Sequence, residues 1–252
     1  SREPHGRVRQ DPTTLPPPTL MDFQGFDVVT FDCYGTLIDW ERGIREAALP
    51  VFGAHGKEME PQALLELFAR LEPEAERSDH GFRSYREVLE RVMERMGEEV
   101  GFVPTPGERA GFAASVATWP PFPDTVAALR ALADRYRLAV VSNVDDDLFA
   151  GSAAQLGVRF DELVTAQQVR SYKPAHAHFH EVLRRLGVPR QRVLHVAQSL
   201  YHDIGPANQL GISSVWINRR AGREGGGATP PATAMPDLEV PSLAALVEIM
   251  GL

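Results

Sequence analysis

One cysteine, Cys33, occurs in the 252 residues. A lone cysteine excludes an internal disulfide and any metal site built from several cysteines, and it fits a reducing, cytoplasmic compartment. Long apolar runs are also missing. None approaches the roughly 20 residues of a membrane-spanning helix, and the N-terminus lacks the charged-then-apolar order of a secretory leader, so neither a membrane span nor export is expected. Clustered positive charge is absent as well. With 26 Lys and Arg against 34 Asp and Glu, the formal net charge is −8, which argues against a nucleic-acid or anionic-membrane partner. An anionic ligand would need a local positive site. What is present suffices for a sizeable core: 43% of the residues are hydrophobic and 24% charged, enough for one core or one core with a smaller satellite.

Residues 1–20 mix charge with the run Pro16-Pro17-Pro18 and cannot bury enough apolar surface to offset ordering entropy, so they read as a disordered tail. Order begins near Phe23. Asp27-Val28-Val29-Thr30-Phe31 is a short β-branched and aromatic run ending in a turn, the pattern of a buried strand. From Asp39 onward the pattern is helical, with Ala63, Leu64, Leu67, Phe68 and Leu71 on one face and Tyr85, Val88, Leu89, Val92, Met93 and Met96 on another. After Pro120 strands and helices alternate, with strands at 138–141, near 163, at 193–197 and at 213–217, the last completing the series. Such alternation predicts an α/β fold, a doubly wound parallel sheet with helices on both faces. Residues 21–38 and 120–252 form that core, residues 39–119 an inserted all-helical domain, and the glycine-rich stretch 222–236 a loop after the last strand.

Four places carry candidate chemistry, each just after a predicted strand or in a loop at the same sheet edge, where ligands of such sheets bind. In Phe31-Asp32-Cys33-Tyr34-Gly35-Thr36-Leu37, a strand delivers the Asp32 carboxylate into a glycine turn, with the Thr36 hydroxyl four residues on; turn capping is the competing reading of Asp32. Ser142 and Asn143 follow the next strand and can donate to an anion, although alone they read as ordinary turn residues. Asp145, Asp146 and Asp147 read as favourable charge at a helix N-terminus, with Asp145 as its cap. Lys173 stands before Pro174, where a buried ammonium would keep Asp32 ionised and attract an anionic substrate. In Gln198-Ser199-Leu200-Tyr201-His202-Asp203, Asp203 can pair with Lys173, orient water or cap a helix, and His202 reads as a hydrogen-bonding neighbour. His176, His178 and His180 spread around a helix axis and form no chelating face.

The order Asp32, Ser142, Lys173, Asp203 resembles the four motifs of the haloacid dehalogenase superfamily, and the helical insertion resembles its cap domain. The resemblance implies that Asp32 is a nucleophile partnered by Thr36, that Ser142 and Asn143 bind the substrate's anionic group, and that Lys173 is a cation paired with Asp203. Phosphatases of that superfamily carry an acid where this chain has Tyr34 and a metal-binding aspartate where it has Gln198. Losing both carboxylates disfavours Mg²⁺, so no metal or other cofactor is expected. The metal-free 2-haloacid dehalogenases carry tyrosine at the position of Tyr34. The implied activity is hydrolysis of short 2-haloalkanoic acids through an aspartyl ester on Asp32. The implied ligands are a small anionic 2-haloacid and the released halide, and the resemblance is compatible with a homodimer. Tyr34, Trp40, Gln198, Ser199 and His202 join Thr36, Ser142 and Asn143 as expected lining, with the Trp40 indole N–H a candidate for the halide. Those dehalogenases also have a halide-binding arginine, for which Arg45 and Arg70 are the nearest candidates by position, and a tyrosine where this chain has Phe179. An atypical Mg²⁺-dependent phosphatase and a binding protein that lost catalysis are the alternative readings.

Overall fold

The structure is a computed structural model that describes residues 21–78, 81–223 and 227–252. The stretch read as a tail, residues 1–20, lies outside the described residues. Strand β1 (Val28–Phe31) is buried along its whole length, as expected of a central parallel strand. Four helices follow before the chain returns to the sheet: α1 (Trp40–Ala54), α2 (Pro61–Glu76), α3 (Tyr85–Val100) and α4 (Pro106–Ser115). Two of them open on capping boxes readable in the sequence, Ser84 with Glu87 and Thr105 with Glu108, each satisfying two otherwise orphaned backbone donors. The expected apolar faces are buried with one exception: Ala63 is exposed and Leu65 takes its place. Gly43 on α1 receives the ring of Trp119 so closely that a Cβ there would lie 2.2 Å from it.

The second half alternates as expected: α5 (Thr125–Ala133), β2 (Arg137–Ser142), α6 (Asp146–Leu156), β3 (Glu162–Thr165), α7 (Ala166–Val169), α8 (Ala177–Leu186), β4 (Val193–Ala197), α9 (Gly205–Leu210) and β5 (Ser213–Ile217). A short π-helical turn, Leu200–Ile204, precedes α9. Three of these elements were not expected: the short α7, and β6 (Leu238–Val240) and α10 (Leu243–Met250) that follow β5. The stretch 222–236 therefore joins β5 to β6, and β5 is not the last strand. At three residues, β6 is too short for an alternating pattern to show.

All six strands pair in parallel, in the order β3-β2-β1-β4-β5-β6. Side chains alternate across the sheet: Val29, Phe31, Val140 and Val196 join the large core shared with the inserted helices, while Val28, Ala139, Val141 and Val193 meet α8 and α9 on the other face. The chain runs outward from β1 through β2 to β3, then crosses back to β4 and runs the other way. That reversal opens a crevice at the carboxyl ends of β1, β2 and β4, the place where open α/β sheets bind ligands. Among the described residues no helix is long and apolar enough to cross a membrane.

Candidate active site

A cleft of about 400 Å³, counting the open space at its mouth, lies over those strand ends. Its floor comes from the sheet and its roof from the inserted helices. Gly35 shapes the floor. Its φ of +91° lies in the left-handed region, and a Cβ there would sit 2.9 Å from both Gln198 Oε1 and Trp40 Nε1, so only glycine lets the turn pass this close. Thr36 Oγ donates to Asp32 Oδ2 at 2.8 Å while accepting from the Gln198 backbone N–H at 2.9 Å. These bonds fix the carboxylate's orientation from the β4 side.

Lys173 is the only cationic side chain among the described residues lining the cleft. It is fully buried, and its three donors are all used: Asp32 Oδ1 at 3.0 Å, Asp203 Oδ1 at 2.7 Å and the Val141 carbonyl at 2.9 Å. A compact ammonium can meet three converging acceptors in this way, whereas a planar guanidinium cannot. The chain has 26 Lys and Arg, of which only Lys57 and Lys173 are lysines. The ammonium is shared unequally. Burial pushes both carboxyls up, but the closer Lys173, with His195 Nε2 at 2.9 Å, holds Asp203 down to about 2. At Asp32 burial prevails over the pull of Lys173 and Thr36, and its carboxyl stays above the ordinary value. Asp203 is thus the permanently charged anchor and Asp32 the less stabilised, more reactive anion.

His195 was missed in the sequence because it sits inside the apolar run of β4. Its Nδ1 meets Thr30 Oγ at 2.9 Å, and Phe179 packs edge-on against its ring. Where a family tyrosine was looked for, Phe179 instead walls this pair from solvent. Among the described residues lining the cleft, two buried polar atoms lack a protein partner, Ser142 Oγ and Asp203 Oδ2. An unpaired buried donor or acceptor is costly, so these atoms are suited to take a ligand or a water.

Other expectations are redirected. Asn143 lines the cleft, yet its amide brackets the Lys173 peptide, donating to the carbonyl at 3.1 Å and accepting from the N–H at 2.8 Å. It positions the Lys173 backbone. Lys173, with every donor spent, balances charge and has no N–H left for a substrate. Tyr34 also lines the cleft, but its hydroxyl bonds Ser152 Oγ at 3.0 Å and its ring packs edge-on to Trp119. Asp145 does not cap its own helix. Its oxygens accept from the backbone N–H groups of Tyr85 and Arg86, each at 2.9 Å, so a core residue caps the inserted helix α3. Ser199 Oγ caps the π-helical turn and meets His202 Nδ1 at 3.0 Å. Burial holds His202 down to about 4, so it is neutral at pH 7. Trp40 Nε1 and Gln198 Nε2 find no acceptor among the described residues, while Gln198 Oε1 accepts from Thr229 at 2.9 Å. Neither Arg45 nor Arg70 lines the cleft, and Arg70 pairs with Glu99. The roof adds Glu72 from α2 and Tyr85 from α3, whose hydroxyl donates to Glu72 Oε1 at 2.6 Å.

A model of haloacid dehalogenase-like hydrolases matches residues 26–211. The chain belongs to that family. The (S)-2-haloacid dehalogenase H-109 of Pseudomonas putida is 27% identical over 208 residues, covering 78% of this chain and 88% of its own. A glyceraldehyde 3-phosphate phosphatase of Methanothermobacter thermautotrophicus is 36% identical over 101 residues, 39% of this chain and 45% of its own. Among solved structures, a defluorinating L-2-haloacid dehalogenase superposes with a TM-score of 0.77 at 22% identity, covering 90% of this chain and 96% of that one. The hydrolase family thus has both dehalogenases and phosphatases near this chain, and the site's chemistry has to separate them. For magnesium the donor set does not fit: Gln198 offers one amide oxygen, already engaged by Thr229, and no group of three acidic, histidine or cysteine side chains among the described residues is placed to hold a metal ion.

Proposed function

We propose that the protein is a metal-independent hydrolytic dehalogenase of short 2-haloalkanoic acids. The observation that carries this reading is the pairing of a buried, incompletely stabilised Asp32 carboxylate with Tyr34 and Gln198 at the two places where a phosphatase needs acids. Phosphoryl transfer calls for cation neutralisation of the phosphate and a proton for the leaving alkoxide. Displacement of chloride or bromide at carbon calls for an anionic nucleophile and a dry, oriented approach.

Asp32 attacks the α-carbon; the new C–O bond forms as the carbon–halogen bond breaks, and the halide leaves with the electron pair. The unpaired Ser142 hydroxyl takes the substrate carboxylate. Lys173 and Asp203 keep the local charge nearly balanced as the negative charge passes from Asp32 to the halide. Water, oriented by the unpaired Asp203 Oδ2, then attacks the aspartyl carbonyl; the ester bond to the substrate oxygen breaks, one water proton goes to that oxygen and the other to solvent, and the 2-hydroxy acid leaves with the Asp32 carboxylate restored. A carboxyl held near 2 orients a water better than it deprotonates one.

Halide release from 2-chloropropionate should persist in EDTA and vanish in Asp32→Asn. Turnover of p-nitrophenyl phosphate that needs Mg²⁺, without halide release, would transfer the assignment to a phosphatase. Neither activity in the folded protein would leave a binding role.

A further inference from the structure

An in-line displacement puts the leaving atom on the side of the carbon opposite the attacking oxygen. Asp32 is on the sheet-borne floor, so the leaving atom faces the roof. Among the described residues the roof offers no arginine. It offers Glu72, only 4% exposed, whose Oε1 takes the Tyr85 hydroxyl at 2.6 Å. Its Oε2 makes no hydrogen bond to the described residues, and Glu72 lines the cleft. Three carboxyl groups, Asp32, Glu72 and Asp203, line a cleft with one ammonium. An ionised Glu72 would repel both an anionic substrate and a departing halide, whereas a protonated Glu72 donates to the leaving atom.

We propose that Glu72 is a catalytic residue that donates its proton to the leaving halide, with Tyr85 as its positioning residue, and that this pair suits the site to carbon–fluorine bonds. The proposal rests on the dehalogenase reading above. As the Asp32–carbon bond forms, the carbon–fluorine bond breaks, its electron pair goes to fluorine, and the Glu72 proton follows. Hydrogen fluoride leaves and ionises in water, and Glu72 is reprotonated from solvent. Chloride and bromide are feeble bases and gain little from a proton; fluoride is a strong hydrogen-bond acceptor and gains most.

The charge state agrees. Burial raises the Glu72 carboxyl to about 7, the Tyr85 hydrogen bond opposes this, and the charge of Asp32 adds to it. Glu76 on the same helix is itself raised, first by burial and then by Glu72, with Lys173 and Arg77 opposing; Tyr172 senses both glutamates from the core side. Below about pH 7 Glu72 carries its proton, and above it the donor is lost.

The test compares fluoride release from fluoroacetate with chloride release from chloroacetate, each across pH, in wild type, Glu72→Gln and Tyr85→Phe. Wild type should lose fluoride release as pH rises through about 7. In Glu72→Gln the fluoride-to-chloride rate ratio should fall about tenfold or more, and the alkaline limb should disappear. Tyr85→Phe removes the bond that lowers the Glu72 carboxyl, so its limb should move to higher pH. An unchanged ratio in Glu72→Gln, or an unmoved limb in Tyr85→Phe, overturns the role of Glu72 while leaving the dehalogenase standing. Wild type that releases neither halide overturns the underlying reading, and this proposal with it.

Discussion

On the floor of the cleft, Lys173 spends its three N–H donors on two carboxylates and a carbonyl, and Asn143 and His195 hold the members of that set in turn. In the roof, Glu72 lines the cleft and is held by one bond from Tyr85. The floor is a dense network around Asp32 that leaves Ser142 Oγ and Asp203 Oδ2 without protein partners. The roof is sparsely bonded, and its single titratable acid can change state near neutral pH. On the proposed mechanism, attack chemistry belongs to the sheet and discrimination among leaving groups to the inserted helices.

Asp32→Asn breaks the floor most completely. Loss of the attacking carboxylate should cut halide release by at least ~10³-fold, measured as halide in single-substrate assays, with the fold retained by circular dichroism. Lys173→Met comes next, because it leaves Asp32 and Asp203 buried without their counter-ion. Removing one partner of such a set costs ~3–5 kcal/mol, to be read as a fall in the urea midpoint; a change under about 1 kcal/mol would mean the carboxylates find other partners.

Glu72 contributes to the comparison through stability as well as rate. Its native carboxyl lies above its unfolded value, so the folded state binds the proton more tightly and stability falls as pH rises from about 4.5 to about 7. A shift of that size corresponds to roughly 3 kcal/mol as an upper figure. Glu72→Gln should flatten this part of the curve and be more stable than wild type at pH 8; parallel curves would remove the buried acid from the account. The smallest effect is expected at the seam between floor and roof. Asp145→Ala removes the acceptor for two α3 N-terminal donors and should cost ~1–2 kcal/mol, with a higher KM as Tyr85 loses its anchor.

Much of the floor is legible in the sequence because each of its residues follows a strand. Asp32, Ser142 and Lys173 can be picked out by residue type and chain order, and the parallel sheet brings them to one edge. Their detailed tasks are less legible: whether Asn143 turns toward a ligand or toward the Lys173 peptide depends on the loop's path, and Asp145 looks like a local cap until α3 arrives from another part of the chain. The roof has no motif. Glu72 stands four residues after Phe68 and beside Leu71, on the buried stripe of α2, and an acid on an apolar stripe is the one signal that could have found it. His195 in the apolar run of β4 is the same kind of signal. The short strand β6 offered none.

In the proposed mechanism Asp32, not water, attacks the substrate carbon. A single turnover of 2-chloropropionate in oxygen-18 water, with excess enzyme, tests it directly by mass spectrometry of the Asp32 peptide and of the product. The account predicts label in the Asp32 carboxylate and none in the hydroxyl of the first lactate formed. Label in the lactate hydroxyl with Asp32 unlabelled would contradict it.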